Sequence, residues 1–431
     1  PGNLLPLNNK KYFPVPLANT NDAHVVPDDE LFVAGDIRSN ENVELMAVHT
    51  LFLREHNWWA KTIASKYPSL SDEQIYQYAR AIVRAEIQAI TYNEWLPTLL
   101  GADRLTPYTG FKPNINPGIA TEFATAALRI GHTLLATDIE FMDNNGNDIR
   151  KAIDLKEAFF NPTTIKEVGV DSLLKYLATA NASRVDTLVI DDVRNFLFGL
   201  PGQGGLDLPS LNIQRGRDHG LSDYNSTRVA FNLAPVNDFD EITSDTDLQN
   251  KLKNLYGNVN NIDAWVGGLS ESHGSNTSMG PFFTRIFVDQ FIRLRDGDRF
   301  WYENVFSGKD LERLQRTKLT DIIKRNTKIT NIQENAFVFN ASISGRVYYD
   351  NLIGKEKGLK NISIELIDVE ENEVVDTVKT NGRGYYQFFS IHEAGPYKVR
   401  VKKYKTTTQN PMRVQVSRGG EMTEMNFGIV R

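Results

Sequence analysis

Ile119–Leu135, IATEFATAALRIGHTLL, is the stretch on which the fold reading turns. Ile119, Phe123, Ala126, Ile130 and Leu134 recur at helical spacing, which predicts a helix with one apolar face in a core. His132 follows Gly131 directly on that helix. A glycine inside an apolar helix costs about 1 kcal/mol against alanine, so its presence points to something bulky approaching the backbone. Two readings of the imidazole are open. One is a buried histidine satisfied by a neighbour, which the helix taken alone favours; the other is an axial ligand to a haem iron. The segments around it must decide.

Upstream, residues 35–64 read GDIRSNENVELMAVHTLFLREHNWWAKTIA. Asn40 or Asn42 can cap a helix whose Val43, Met46, Leu51 and Leu53 enter a core. Arg38 and Glu41 stand at its entrance, three apart, where a surface ion pair is the plain expectation. His49 and His56 share a face but lack the i, i+4 spacing of a zinc protease, so structural hydrogen bonding is expected of both. Residues 1–34 read as an irregular surface arm with His24 in solvent, and a second long helix over 73–100 should stop near Pro97. Downstream, LNIQRGRDHGLSDYN concentrates Arg215, Arg217, Asp218 and His219; the last three read as a buried salt-bridged turn. The alternating charges of FVDQFIRLRDGDRFWYEN read as packing and capping around a helix end.

After Phe339 the period changes. Ile362, Ile364 and Leu366, then Tyr397, Val399 and Val401, then Val414 and Val416 alternate as strands do. Turn signals at 381–384, 393–396 and 417–420 separate them, which predicts a small β-sandwich over 341–431.

Composition narrows the classes. The 431 residues carry a net charge of −6 with no basic stripe, which argues against nucleic-acid binding. No apolar run approaches the roughly 18 residues of a membrane helix. The absence of cysteine excludes disulfides, thiolate metal sites and cysteine nucleophiles together. The chain begins at Pro1, which reads as a processed piece with residues missing upstream.

Taken together, GDIRSNENVEL, HTLFLREHN, LRIGHTLL, LNIQRGRDHG, NNIDAWVGGLSE and LRDGDRFWYEN resemble the animal-type haem peroxidase superfamily, bacterial members included, in the family's order across 1–338. The tail, with GRVYYD and GLKNISIELID, resembles the prealbumin-like B-type repeats of bacterial surface proteins. The expected architecture is a mainly α haem-peroxidase domain over 1–338, lacking its N-terminal distal part, and a β-sandwich over 341–431.

The resemblance implies roles. His132 matches the proximal ligand of haem b, and Asn212 its partner, whose amide oxygen would accept the imidazole N–H. Arg38 matches the distal arginine that stabilises charge as the peroxide O–O bond breaks. Glu41 matches a carboxylate that can form an ester to the haem, and Arg129 and Arg215 match contacts to its propionates. Asn42 stands where some members carry a sulfonium-forming methionine, so that link is excluded. The distal histidine, a second ester-forming aspartate and the calcium site of the family lie upstream of the arginine motif, so the chain should supply the proximal half of the site. An N-terminal peroxidase fragment would be its partner.

Three functions follow from this. The first is a secreted or cell-surface peroxidase using hydrogen peroxide to oxidise halides or small organic donors. The second is an inactive peroxidase-like adhesion protein, and the third a fatty-acid dioxygenase of the same fold, which needs a tyrosine near the haem.

Overall fold

The structure is a computed structural model that describes residues 4–144, 146, 148–199, 204–274, 277–338, 341–350, 357–391, 395–416 and 422–429. Two compact units divide the chain. The first is built from Pro1–Glu140, Lys151–Val170 and Ala182–Thr327, the second from Phe141–Arg150, Asp171–Asn181 and Lys328–Arg431.

The first unit is helical. Its opening helix, Val43–Lys66, starts where Asn42 accepts a hydrogen bond from the Leu45 amide, and it buries Val43, Met46, Leu51, Trp59 and Ile63. Leu53 is only half-buried. The next helix, Asp72–Ile90, is closed by a reciprocal capping box of Ser71 and Gln74. It does not stop at Pro97. A π turn, Thr91–Trp95, carries it into Leu96–Leu100, and the wider turn accommodates a ring that would otherwise strike the preceding carbonyl.

Between these helices and Leu319–Asn326 lies a buried charge cluster. Arg325 pairs with Glu55 and lies 3.7 Å from Glu86, which also accepts the Trp59 indole N–H at 3.0 Å. Burial and the neighbouring Glu55 carboxyl push Glu86 up to about 8.

The predicted Ile119–Leu135 helix is broken in two. Thr121–Thr125 is α-helical and Ala127–His132 a tighter 3-10 turn, with Ala126 at φ −126°, ψ −72° between them. The apolar period survives in part: Phe123, Ala126 and Ile130 are buried, Leu134 packs at the core edge, but Ile119 is exposed. The core they join is aromatic, with Phe282, Phe283 and Phe287 fully buried on the Pro281–Asp296 helix. Gly267 and Gly268 are required there, because a Cβ on either would collide with the ring of Tyr224 or Phe283.

The N-terminal arm is irregular yet anchored rather than superficial. Leu31 and Phe32 are buried, and the Asn40 side chain bonds both the amide and the carbonyl of Phe32. His24 is exposed, as expected.

Among the described residues from Ala341 onward, the second unit holds two sheets around one apolar core. Val374–Lys379, Ser363–Asp368, Gly395–Val401 and Met412–Val416 form an antiparallel four-stranded sheet in that order. The register sets Ile364 opposite Val401 and Leu366 opposite Val399, so the alternating residues share the buried face. In the other sheet Ala341–Tyr349 is central, antiparallel to Tyr385–Ile391 and parallel to Met422–Glu424 and Phe427–Ile429. The 381–384 turn is present, with Gly384 at φ 85°. The expected turn at 417–420 and the first half of that at 393–396 lie outside the described residues.

Candidate functional site

Three of the six predicted residues form one hydrogen-bonded chain. His132 ends its 3-10 turn with the ring half-buried, and Asn212, fully buried on the Leu208–Asp218 helix, reaches it from eighty positions away. The Asn212 Nδ2 lies 2.7 Å from His132 Nδ1. Arg129 Nη1 donates to Asn212 Oδ1 at 2.6 Å.

The pairing is as expected but its polarity is not. A guanidinium can only donate, so Arg129 takes the amide oxygen and turns the NH2 toward the imidazole. Nδ1 then accepts, which leaves the neutral ring's proton on Nε2. For Nε2 to ligate a metal the ring proton must sit on Nδ1, which requires the Asn212 amide oxygen rather than its NH2 to face the ring. Burial first, and the Arg129 charge second, lower the His132 pKa to about 4, so the ring is neutral at physiological pH.

Arg215 is exposed on the helix of Asn212 and close enough to Arg129 for their charges to repel, which, after burial, lowers the Arg129 pKa. Among the described residues neither guanidinium has a carboxylate partner. Two arginines held together without an acid form a receptor for an anion. Gly131 adds space: among the described residues, nothing beyond its chain neighbours and its own turn's backbone lies within 4 Å of where its Cβ would stand. With the ring proton moved to Nδ1, an Nε2 without a protein partner among the described residues, two cations without carboxylate partners among them and space at Gly131 fit an iron porphyrin with its propionates.

Arg38 and Glu41 stand just before the Val43–Lys66 helix. Arg38 does not pair with Glu41. It is held by Asp36, Nε to Oδ1 at 3.0 Å and Nη2 to Oδ2 at 2.8 Å, and its side chain is 66% exposed. The sequence reading missed Asp36, although the acid two residues before Arg38 in GDIR was its signal. The bidentate bond to Arg38 holds the Asp36 pKa well below the carboxylate range. Burial raises the Glu41 pKa against the opposing Arg38 charge, and burial alone pushes Glu44 up to about 7. No hydrogen bond or ion pair among the described residues joins Arg38 or Glu41 to His132, Asn212 or Arg129.

Other side chains depart from expectation. His49 has no hydrogen bond among the described residues; burial lowers its pKa, and the nearby Asp36 opposes this. His56 meets Asn57 only at 3.5 Å. The RGRDHG turn is exposed rather than buried: Arg217 pairs with Asp263 from the surface, and Asp218 accepts from Gln214. The length of the arginine and its helix-end position let it reach Asp263 without burial.

Residues 2–337 match the family described as animal haem peroxidase, and residues 340–429 that described as the second β-sandwich domain of NOMO1-like BOS complex subunits. Peroxinectin A of Dictyostelium discoideum is 42% identical over 318 residues, 74% of this chain and 59% of that protein. Drosophila melanogaster peroxidasin is 37% identical over 75% of this chain and 22% of its own length. The solved structure of Dictyostelium discoideum peroxidase A superposes with a TM-score of 0.71 at 41% identity, covering 77% of this chain and 64% of that one. Oryza sativa fatty acid alpha-dioxygenase shares the fold at TM-score 0.60 and 21% identity, over 78% and 65% of the two chains.

The chain belongs to the animal haem peroxidase family, whose cofactor is haem, and carries a C-terminal β-sandwich domain. It spans less than two thirds of the length of these relatives.

Proposed function

We propose that the protein is a haem peroxidase that uses hydrogen peroxide to oxidise small organic donors or halides, and that this chain carries the proximal half of its site. The observation that supports the reading most is the His132–Asn212–Arg129 chain beside Arg215. His132 would hold the iron through Nε2, Asn212 would fix the ring's tautomer and plane, and Arg129 and Arg215 would bind the propionates. When bound, haem supplies the redox chemistry that divides peroxide into water and two oxidising equivalents.

Arg38 would act on the opposite face. Its fixed charge stabilises negative charge on the departing oxygen, but an arginine does not shuttle a proton at neutral pH. That proton transfer is assigned to an upstream segment or N-terminal fragment, where the family places its distal histidine and calcium site. An ester between Glu41 and haem, and an extracellular setting, belong to the same reading.

The dioxygenase reading needs a tyrosine at the haem. Half-buried Tyr92 and fully buried Tyr224 donate instead to the Phe291 carbonyl at 2.7 Å and to Glu271 at 2.6 Å. An adhesion protein without catalysis would consume no peroxide. The test is peroxide-dependent oxidation of a phenol by the haem-loaded protein together with its upstream part. Turnover above that of free haem is expected; its absence with haem bound favours the adhesion reading.

A further inference from the structure

The first unit contains a line of aromatic rings that the haem-binding reading does not use. Trp301 is almost fully buried, and its ring centre lies 4.6 Å from that of Tyr92. Tyr92 lies 5.6 Å from Phe291, and Phe291 lies 5.7 Å from Phe123. Phe123 sits on Thr121–Thr125, the helix that leads into the His132 turn. Trp95, 5.8 Å from Phe291, widens the same line. At the far end a cleft of about 310 Å³ opens beside Tyr92, with Leu96 and Leu100 on its apolar side and Asn93 and Arg104 at its polar edge. That size and lining suit one small aromatic molecule.

We propose that Trp301 is a second oxidation site, remote from His132, that draws electrons from small phenolic reductants docked in the Tyr92 cleft. The inference rests on the peroxidase reading for its oxidant.

Hydrogen bonding singles out Trp301 within the line. Its indole N–H donates to the Glu303 carboxylate at 3.2 Å, so a base is in place to take the proton as an electron leaves. Tyr92 lacks one. Its hydroxyl donates to the Phe291 carbonyl, which cannot keep a proton, and burial raises its pKa. Tyr92 therefore serves as a ring between cleft and indole, not as the residue oxidised.

The step balances with peroxide as the only oxidant. One electron passes from the Trp301 indole along the ring line to the site oxidised by peroxide, and the N–H proton moves to Glu303. A phenol in the cleft then returns an electron across Tyr92, Glu303 returns its proton to the indole, and the phenol releases its own to solvent. Two such cycles per hydrogen peroxide give two phenoxyl radicals and, with the two released protons, two waters.

The test is to give peroxide to the haem-loaded protein without reductant, in the presence of a nitrone spin trap, and to map adducts by peptide mass spectrometry. Adducts on Trp301 are expected, lost in Trp301→Phe and reduced several-fold in Glu303→Gln. The second variant keeps the indole in place should the first fail to fold. Filling the cleft with Asn93→Trp is expected to raise the KM for a phenol several-fold. Peroxide consumption with adducts only at other residues, full trapping in Glu303→Gln, or an unchanged KM in Asn93→Trp overturns the proposal. A protein that takes up no haem or consumes no peroxide overturns the peroxidase reading, and this one with it.

Discussion

The His132 imidazole and the Asn212 amide stand 2.7 Å apart, Nδ1 to Nδ2, and the guanidinium of Arg129 on the amide oxygen sets which end of that amide faces the ring. Removing the amide should therefore loosen the ring's plane and tautomer together. Asn212→Ala is expected to weaken haem binding by roughly 10–100-fold, the usual loss for a partner behind a metal ligand. Asn212→Asp should bind haem but lower its reduction potential, because a carboxylate draws the imidazole toward imidazolate. Haem titration and spectroelectrochemistry measure both; a potential unmoved in Asn212→Asp would place the residue outside the ligand's hydrogen bond.

The charges of Arg129 and Arg215 repel, and among the described residues neither has a carboxylate partner. If they bind propionates, the protein should prefer haem to its dimethyl ester, which lacks the carboxylates. Arg215→Ala is expected to reduce that preference about tenfold, the worth of one charge-assisted hydrogen bond. Equal affinity of the wild type for the two porphyrins would remove the anion role.

Arg38→Ala should leave haem binding intact and slow the reaction with peroxide by a factor on the order of 10²–10³, typical for one preorganised electrostatic donor. Stopped-flow traces of the Soret region provide the rate. Asp36→Asn, which releases the guanidinium from its present bond, should retain the reaction; equal rates for wild type and Arg38→Ala would contradict the distal placement.

Glu86 supplies a pH dependence of known sign. Its folded pKa is about 8 against an ordinary 4.5, so the unfolded chain loses this proton while the folded one keeps it. Its contribution to stability is complete below 4.5 and is lost as pH rises through 8. Glu86→Gln, which holds the hydrogen-bonding shape without ionising, should flatten the fall of Tm across that interval. Thermal melts of the two proteins from pH 4.5 to 8 decide this, a parallel fall in both removing Glu86 as the cause.

The sequence revealed the partners of this site better than its geometry. The pairing of His132 with Asn212 could be read from motifs eighty positions apart, and the alternation of Ile364, Leu366, Val399 and Val401 marked the buried sheet face directly. The break at Ala126 could not be read, because periodicity reports which residues face a core and both α and 3-10 turns place Phe123 and Ile130 there. Arg38 illustrates another limit. Glu41 at three residues' distance looked the natural partner, but residues 37–40 form hydrogen-bonded turns rather than helix, and the nearer Asp36 reaches both guanidinium edges. The turning of the Asn212 amide depends on a third residue, Arg129, and is visible only when all three side chains are placed.

Iron ligation by His132 is tested most directly by haem stoichiometry, measured as the pyridine haemochrome on wild type and His132→Ala after identical reconstitution and removal of free haem. One haem per chain in the wild type and near none in the variant, with the same far-ultraviolet circular dichroism, is the predicted result. Equal haem content in the two proteins contradicts it.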